Sequence, residues 1–204
     1  LGWAVKKGND DLLEKINEYF EIIRNNGTFD KLYNKYYGSS EIFDYVDLIK
    51  FHQRIDSRLP KYEEKIKTEA QKYGFDWRLI AAIIYQESHF NARARSYTGV
   101  RGLMQLTLVT AREMGINNRL DPNQSIKGGV KYLNKIYQRF DDIDAHDRMK
   151  FTIASYNIGY GHIRDAQMIA ENEGLDKNKW ESMAEVLPLL RYRKYYKKTR
   201  YGYA

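Results

Sequence analysis

The sequence predicts an all-α protein, and three observations support this fold class. Apolar residues recur at three- and four-residue steps along most of the 204 residues, as they do on one face of a helix. Alternating strand patterns are nearly absent, with a hint of one only at Trp3–Val5. Hydrophobic residues make up 43% and charged residues 30% of the chain, which is typical of a folded globular protein.

The predicted helices begin and end at residues that favour helix caps. One begins behind Asp10 and stops at Asn26-Gly27, and a short one behind Thr28 closes at Gly38. Residues 39–60 are less regular and end at Pro60, which predicts a linker or docking segment. From residue 61 onward we expect a continuous helical domain. Its expected features are caps at Asp76 and Thr107, a stripe from Ile126 to Phe140, and helices over about 147–158, 163–173 and 180–187.

Composition excludes several classes of site. Cys is absent, which removes disulfides, thiolate nucleophiles and zinc–cysteine sites. The four His are scattered without the spacing of metal ligands, so we expect no metal and no cofactor. No run of about 18 uncharged apolar residues occurs, so we expect no membrane span in this sequence. The chain opens without Met, which predicts a fragment or a processed form.

The net charge of +7 is concentrated at the C-terminus. Residues 191–204 carry six basic side chains and no acidic one. Such a tail is either a solvated end or an attraction to a polyanion. Because no nucleic-acid-binding motif accompanies the tail, we expect no nucleic-acid partner.

Glu87 is the most unusual polar placement in the sequence. Ile80, Ile83 and Ile84 define the buried face of its helix, and Glu87 is four residues beyond Ile83 on that face. Burial raises the pKa of a carboxyl, and a carboxylic acid that stays protonated can donate its proton to a leaving oxygen. The alternative is that the helix ends near Ser88 and that Glu87 simply reaches solvent.

Two further segments carry polar side chains beside glycine. The loop from Ser96 to Gly102 contains two glycines that let a backbone approach a ligand closely, and Gln105 after it offers a donor and acceptors. Tyr156 and Asn157 end a helix where a glycine-rich turn begins, and they supply a hydroxyl and an amide suited to an N-acetyl sugar. Each signal is weak alone, since Gln is usually a surface residue and Asn and Gly are ordinary at helix ends.

Together these clusters resemble the soluble lytic transglycosylase family, which has a lysozyme-like catalytic domain. The match runs in order over about residues 61–175, and Ser96 follows Glu87 by nine positions. Its most specific motifs are Glu87-Ser88 on an apolar helix, Gly102-Leu103-Met104-Gln105, and Ser155-Tyr156-Asn157-Ile158-Gly159. Two positions depart from the family pattern, with Ala92 in place of Pro and Ser155 in place of Ala.

The resemblance implies a peptidoglycan lytic transglycosylase that acts on the bond between N-acetylmuramic acid and N-acetylglucosamine without water. Protonated Glu87 would donate to the glycosidic oxygen, and its carboxylate would then take the proton of the muramic acid C6 hydroxyl. That hydroxyl closes onto C1 and gives a 1,6-anhydro product, with no metal or cofactor. The residues implied to bind the glycan strand are Ser88, Ser96, Met104, Gln105, Tyr156 and Asn157.

The N-terminal stretch from Ala4 to Gly38 resembles the end of a periplasmic solute-binding domain, which precedes the transglycosylase domain in some membrane-bound members. This predicts a solute-binding remnant at 1–38, a linker or docking segment at 39–60 and a lysozyme-like domain at 61–204. For the full-length protein it implies a small ligand of the missing domain and a missing N-terminal anchor. It also implies a periplasmic location at the inner face of the outer membrane. Because the chain stops where the family's last, Tyr-bearing helix begins, we expect that helix to be missing.

Two alternatives remain open at this point. One is a lysozyme-type hydrolase of the same polymer, and the other is a catalytically silent glycan-binding module. Most glycoside hydrolases use two carboxylates. No acidic residue lies between Glu87 and Gln105, which favours the transglycosylase.

Overall fold

The structure, a computed structural model, describes residues 5–29 and 45–201. These residues are mostly helical. Extended pairing within the described ranges is limited to isolated antiparallel bridges of Arg101 with Arg95 and with Leu106. The chain divides into two compact units, residues 1–55 and 56–204. The predicted all-α fold is therefore confirmed for the described residues.

The first unit contains α1 (Asp10–Asn25), and the boundary between the units falls within α2 (Tyr45–Arg58). The helices of the second unit are α3 (Glu63–Gln71), α4 (Trp77–Ser88), α5 (Leu108–Glu113), α6 (Pro122–Tyr137), α7 (Ala145–Ile158), α8 (Tyr160–Asn172), α9 (Trp180–Val186) and α10 (Arg193–Tyr196). Short 3-10 turns connect or extend them at Leu59–Lys61, Gln138–Phe140 and Leu187–Arg191.

Polar caps fix where the helices around the cleft begin. The Asp76 carboxylate accepts a hydrogen bond from the backbone N–H of Arg78 at 2.9 Å, and the Thr107 hydroxyl accepts from the N–H of Thr110 at 3.0 Å. Both caps were expected from the sequence, and each satisfies an N–H that has no partner within its own helix. Asp121 caps α6 in the same way.

Part of the segment predicted as a linker or docking segment, residues 39–60, is helical. Residues 45–58 form the continuous helix α2, because Leu48, Phe51 and Ile55 recur at helical spacing inside the stretch bounded by Ser39 and Pro60. The apolar stripe predicted between Leu32 and Tyr36, and the strand hint at Trp3, lie outside the described residues.

The main core of the second unit lies where α6, α7, α8 and α9 pack together. The rings of Phe140 and Phe151 meet there with centroids 5.5 Å apart, and Trp180 contacts Phe151 edge-on. Asp147 joins α7 to α9, because its carboxylate accepts hydrogen bonds from the Trp180 N–H at 3.0 Å and from Lys150 Nζ at 2.9 Å. These hydrogen bonds lower the pKa of Asp147 to about 2.

Two adjacent glycines in α6 bring the Leu103–Leu106 loop onto the helix backbone. A Cβ at Gly129 would lie 2.2 Å from the Met104 sulfur, and one at Gly128 would lie 2.5 Å from Ile116 Cγ1. The side chain of Met104 therefore occupies the space that any larger residue at position 129 would need. This close approach, together with the packing of α3 against α4 and α6, sets the loop beside the end of α4.

Candidate active site

Glu87 lies in the last turn of α4, on the face that its spacing from the isoleucines predicts. Ile80 and Ile84 are fully buried at 0% exposure, whereas Glu87 is only partly buried and faces a cleft of about 350 Å³. Burial raises the pKa of the Glu87 carboxyl. The helix ends one residue later, yet Glu87 points into the cleft rather than freely into bulk solvent.

The chain turns sharply after α4. His89 and Phe90 adopt left-handed backbone conformations with φ of 51° and 58°. Each costs a side-chain-bearing residue roughly 1–2 kcal/mol. Phe90 is 3% exposed and its ring lies 6.0 Å from that of Tyr85, so burial of the aromatic ring offsets the strained turn. The turn directs the following segment back across the end of α4.

Ser88 ties α4 to the loop that closes the cleft. Its hydroxyl donates within α4 to the Ile84 carbonyl at 3.1 Å and can alternatively donate to the Leu103 carbonyl at 2.8 Å. Ser88 is 7% exposed. Its hydroxyl is therefore engaged by backbone carbonyls and holds the loop, and its predicted contact with the glycan stays a prediction.

The loop itself is held by close backbone packing. Gly102 has φ +84°, and a Cβ there would lie 1.8 Å from the carbonyl oxygen of Arg119. Gln105 also has a left-handed φ of 45°, and its Nε2 donates to the Gly102 carbonyl at 2.7 Å. No described residue donates to Gln105 Oε1, so the amide oxygen remains an acceptor at the cleft surface.

The side chain of Met104 is buried and lines neither depression. It is 0% exposed and packs on Gly129. The backbone of Met104 instead links the loop to α6 and α7. Its N–H donates to Ser125 Oγ at 3.2 Å, and its carbonyl accepts from the Tyr156 hydroxyl at 2.8 Å. The predicted substrate contact of the Met104 side chain is corrected on this ground.

Tyr156 and Asn157 enter the cleft from the end of α7. Desolvation raises the pKa of Tyr156 well above its ordinary value, and the nearby charge of Glu87 adds to this effect. The Tyr156 hydroxyl is therefore protonated and donates to Met104, while its ring packs on Tyr132 with centroids 5.6 Å apart. Asn157 is exposed at the cleft, with its amide available.

The predicted residues fall into two adjacent depressions that share Glu87 and Gln105. The first is the 350 Å³ cleft, which also holds Tyr156 and Asn157. The second, of about 550 Å³, also holds Ser88 and Ser96. The predicted site residues did not include four polar residues that line the first depression, namely Thr98, Thr107, Thr110 and Tyr132. Tyr132 lies on the apolar face of α6 and carried no signal beyond ordinary core spacing.

Within the described ranges, no group of three or more His, Cys, Asp or Glu side chains could hold a metal ion. The described helices also include none that is long and apolar enough to cross a membrane. The chemistry available in the cleft is that of one carboxyl, two aromatic hydroxyls, amides and threonine hydroxyls.

Residues 64–180 match the family model described as the transglycosylase SLT domain. This match includes more than half of the chain and every residue of the two depressions. The chain belongs to the transglycosylase SLT domain family. The family resemblance of the Glu87-Ser88 and Gly102–Gln105 motifs is thereby confirmed.

Relatives of this SLT domain protein include proteins named membrane-bound lytic murein transglycosylase F. One from Desulfosudis oleivorans is 58% identical over 205 residues, covering 100% of this chain and 45% of the relative. One from Shewanella sediminis is 52% identical over 199 residues, covering 97% of this chain and 41% of the relative. The chain therefore spans less than half the length of these relatives.

Two solved structures share the fold. Lytic transglycosylase Slt from Pseudomonas aeruginosa, an inactive mutant, matches with a TM-score of 0.55 and 23% identity over 86% of this chain and 32% of that chain. The 70 kDa soluble lytic transglycosylase from Escherichia coli matches with a TM-score of 0.51 and 26% identity over 66% of this chain and 22% of that chain. These matches support the helical fold expected for an SLT domain.

Proposed function

We propose that this SLT domain cleaves peptidoglycan as a lytic transglycosylase, with Glu87 as the acid and then the base. The observation that carries the proposal is the single partly buried carboxyl in the cleft, whose pKa is raised by burial. Because its pKa is raised, a larger fraction of Glu87 is protonated at a given pH. Only the protonated carboxyl can donate a proton to a glycosidic oxygen.

The surrounding groups suit the remaining steps of this reaction. After donating its proton, Glu87 becomes a carboxylate that accepts the proton of the muramic acid C6 hydroxyl, and the C6 oxygen forms its bond to C1. In the same reaction the bond from C1 to the leaving glycan oxygen breaks. Because the C6 oxygen takes the place of the leaving oxygen on C1, no water is incorporated into the product. Gln105 Oε1 and the Asn157 amide can orient the sugar and its N-acetyl group, and Tyr132 and Tyr156 form an aromatic wall.

The carboxylate count favours this reaction over hydrolysis. Hydrolases of glycosidic bonds mostly place a second carboxyl roughly 5–9.5 Å from the acid, to attack the sugar or to activate water. Among the described residues that line the two depressions, Glu87 is the only acidic one. A lysozyme-type hydrolase and a silent glycan-binding module remain the outcomes that the experiment below must separate from transglycosylation.

The rest of the proposal concerns the whole protein, of which this chain represents a part. The relatives' names support a cell-envelope enzyme. We place it in the periplasm at the inner face of the outer membrane, held by an N-terminal anchor. In this proposal residues 1–38 end a solute-binding domain that binds a small ligand, residues 39–60 connect it, and residues 61–204 perform catalysis.

The test replaces Glu87 by Gln, which keeps the side-chain shape but cannot donate a proton. We expect cleavage of purified peptidoglycan to fall about 10²–10⁴-fold, because general acid–base catalysis contributes about that much. Glu113→Gln is the matched control, since Glu113 pairs with Lys135 on the surface and lines neither depression. Circular dichroism and glycan binding should be unchanged in both variants.

Product masses and the pH profile complete this test. A transglycosylase releases 1,6-anhydro ends that are lighter by one water than hydrolytic ends. Activity should decline as pH rises through the raised pKa of Glu87, because the acid form is the active one. Activity of Glu87→Gln within threefold of the parent would remove the assignment. Reducing ends would support the hydrolase, and binding without turnover by the parent would support the silent module.

A further inference from the structure

The second depression differs in charge from the cleft that holds the aromatic residues. It shares Glu87 and Gln105 with that cleft, and it is also lined by Arg93, Arg95 and His89 among mostly small polar residues. Arg58 brings a further guanidinium to its rim, where Nη1 donates to the His89 carbonyl at 3.0 Å. The 350 Å³ cleft has no basic side chain among its described lining residues.

The backbone presents Arg93 and Arg95 together. Residue 95 pairs with residue 101 in an antiparallel bridge, and exposure alternates along the segment, with Arg93 and Arg95 exposed and Ala92, Ala94 and Ser96 less so. Arg93 lies in the turn that the Ala94 N–H closes onto the Asn91 carbonyl at 3.0 Å, and Arg95 follows at the bridge. Because both residues line the second depression, their guanidinium groups are presented to the same site.

Neither arginine is used to stabilise the fold. No ion pair found among the described residues involves Arg93 or Arg95, although the same set includes pairs for Arg78, Lys135 and Lys150. The loop is held by other groups, because the Asn91 carboxamide caps the Arg93 N–H at 3.0 Å and the Ala94 carbonyl accepts from the Gly102 N–H at 2.9 Å. Two unpaired guanidiniums on a backbone fixed by other contacts can bind a ligand without reorganising the loop.

We propose that Arg93 and Arg95 bind the carboxylates of the stem peptide that peptidoglycan carries on its muramic acid residues. This inference rests on the proposed function. The stem peptide branches from the sugar next to the bond that Glu87 attacks, and the second depression, which Glu87 also lines, offers the peptide an exit from the cleft. Arginine presents paired N–H groups that match a carboxylate in a bidentate arrangement. The site makes the domain prefer peptide-bearing strands to bare glycan.

The test measures binding by calorimetry, so that it does not depend on turnover. All proteins carry Glu87→Gln, and the ligands are a peptide-bearing glycan strand, the same strand with its peptide carboxyls amidated, and the strand without peptides. Arg93→Gln with Arg95→Gln should weaken binding of the carboxylate-bearing strand about tenfold, since exposed charge pairs each contribute a few-fold. The control pair is Arg112→Gln with Lys127→Gln, which removes the same charge from exposed positions that line neither depression.

Each outcome decides the proposal. The parent in this test is the protein that carries Glu87→Gln alone. The proposal is supported when amidation of the strand weakens its binding to the parent but not to the double arginine variant. The control pair should bind all three strands as the parent does. Arg93→Lys with Arg95→Lys should recover part of the affinity. Equal weakening for bare glycan would show that the arginines contact sugar, and unchanged affinity would show no contact, so either result overturns it. If the parent binds none of the three strands, the proposed function itself fails.

Discussion

Gly102 provides the sharpest test of how the loop shapes the cleft, because Gly99 in the same loop is a natural control. Both have left-handed φ values, +84° and +87°, so Ala at either position costs roughly 1–2 kcal/mol of backbone strain. At Gly99 an added Cβ meets nothing within 4 Å, whereas at Gly102 it lies 1.8 Å from the Arg119 carbonyl oxygen. Restoring the 3.0 Å that real Cβ atoms keep requires a backbone shift of about 1.2 Å.

That shift moves the groups that position the reaction. Gly102 accepts from the Gln105 side chain, and the same loop contains the Met104 carbonyl that holds Tyr156. A misplacement of about 1 Å can lower kcat about 10²-fold. We expect Gly102→Ala to lose about 10²-fold in kcat on peptidoglycan, and Gly99→Ala to lose stability only. Thermal unfolding and product release measure the two effects, and Gly102→Ala with kcat within threefold of Gly99→Ala would refute the reasoning.

Two further predictions concern the hydrogen bonds that hold the helices around the cleft. Tyr156→Phe leaves the Met104 carbonyl without its hydrogen-bond donor. The unfolding free energy, measured by urea unfolding, should therefore fall by about 1 kcal/mol, and kcat for peptidoglycan cleavage should fall by roughly tenfold. An unchanged kcat would contradict the positioning role of Tyr156. Asp147 has a folded pKa of about 2 against an ordinary 3.8, so it stabilises the protein above pH 3.8 and this contribution is lost as pH falls through about 2. Asp147→Asn should lower the urea midpoint at pH 7, and its unfolding free energy should fall less steeply than that of the parent as the pH is lowered. Parallel plots of unfolding free energy against pH for the two proteins would contradict this.

Much of the local structure could be predicted from the sequence. Asp76 and Thr107 cap their helices as expected, because an N-cap depends on a side chain and an N–H two or three residues away. The position of Glu87 on the isoleucine face also followed, since helix geometry relates residues four apart. The helix over residues 45–58 does not follow from the sequence pattern, because turn-forming residues flank a short apolar stripe.

The loop between α4 and α5 is where prediction from sequence stopped. Its turns use left-handed conformations at His89, Phe90 and Gln105, and neither Phe nor Gln is a residue type that favours this conformation. These conformations persist because the surrounding packing compensates them, as it does for Phe90. No local pattern reports such compensation.

The sequence by itself determined the helices, the placement of one carboxyl on an apolar face and the family motifs in their order. Only the tertiary structure decided what those motifs do. It buries the Met104 side chain on Gly129, engages the Ser88 hydroxyl with backbone carbonyls, and brings Tyr132 beside Tyr156. It also places unpaired arginines beside Glu87. The physical reason is that helix periodicity and capping act over three or four residues, whereas burial, desolvation and charge depend on residues that only folding brings together.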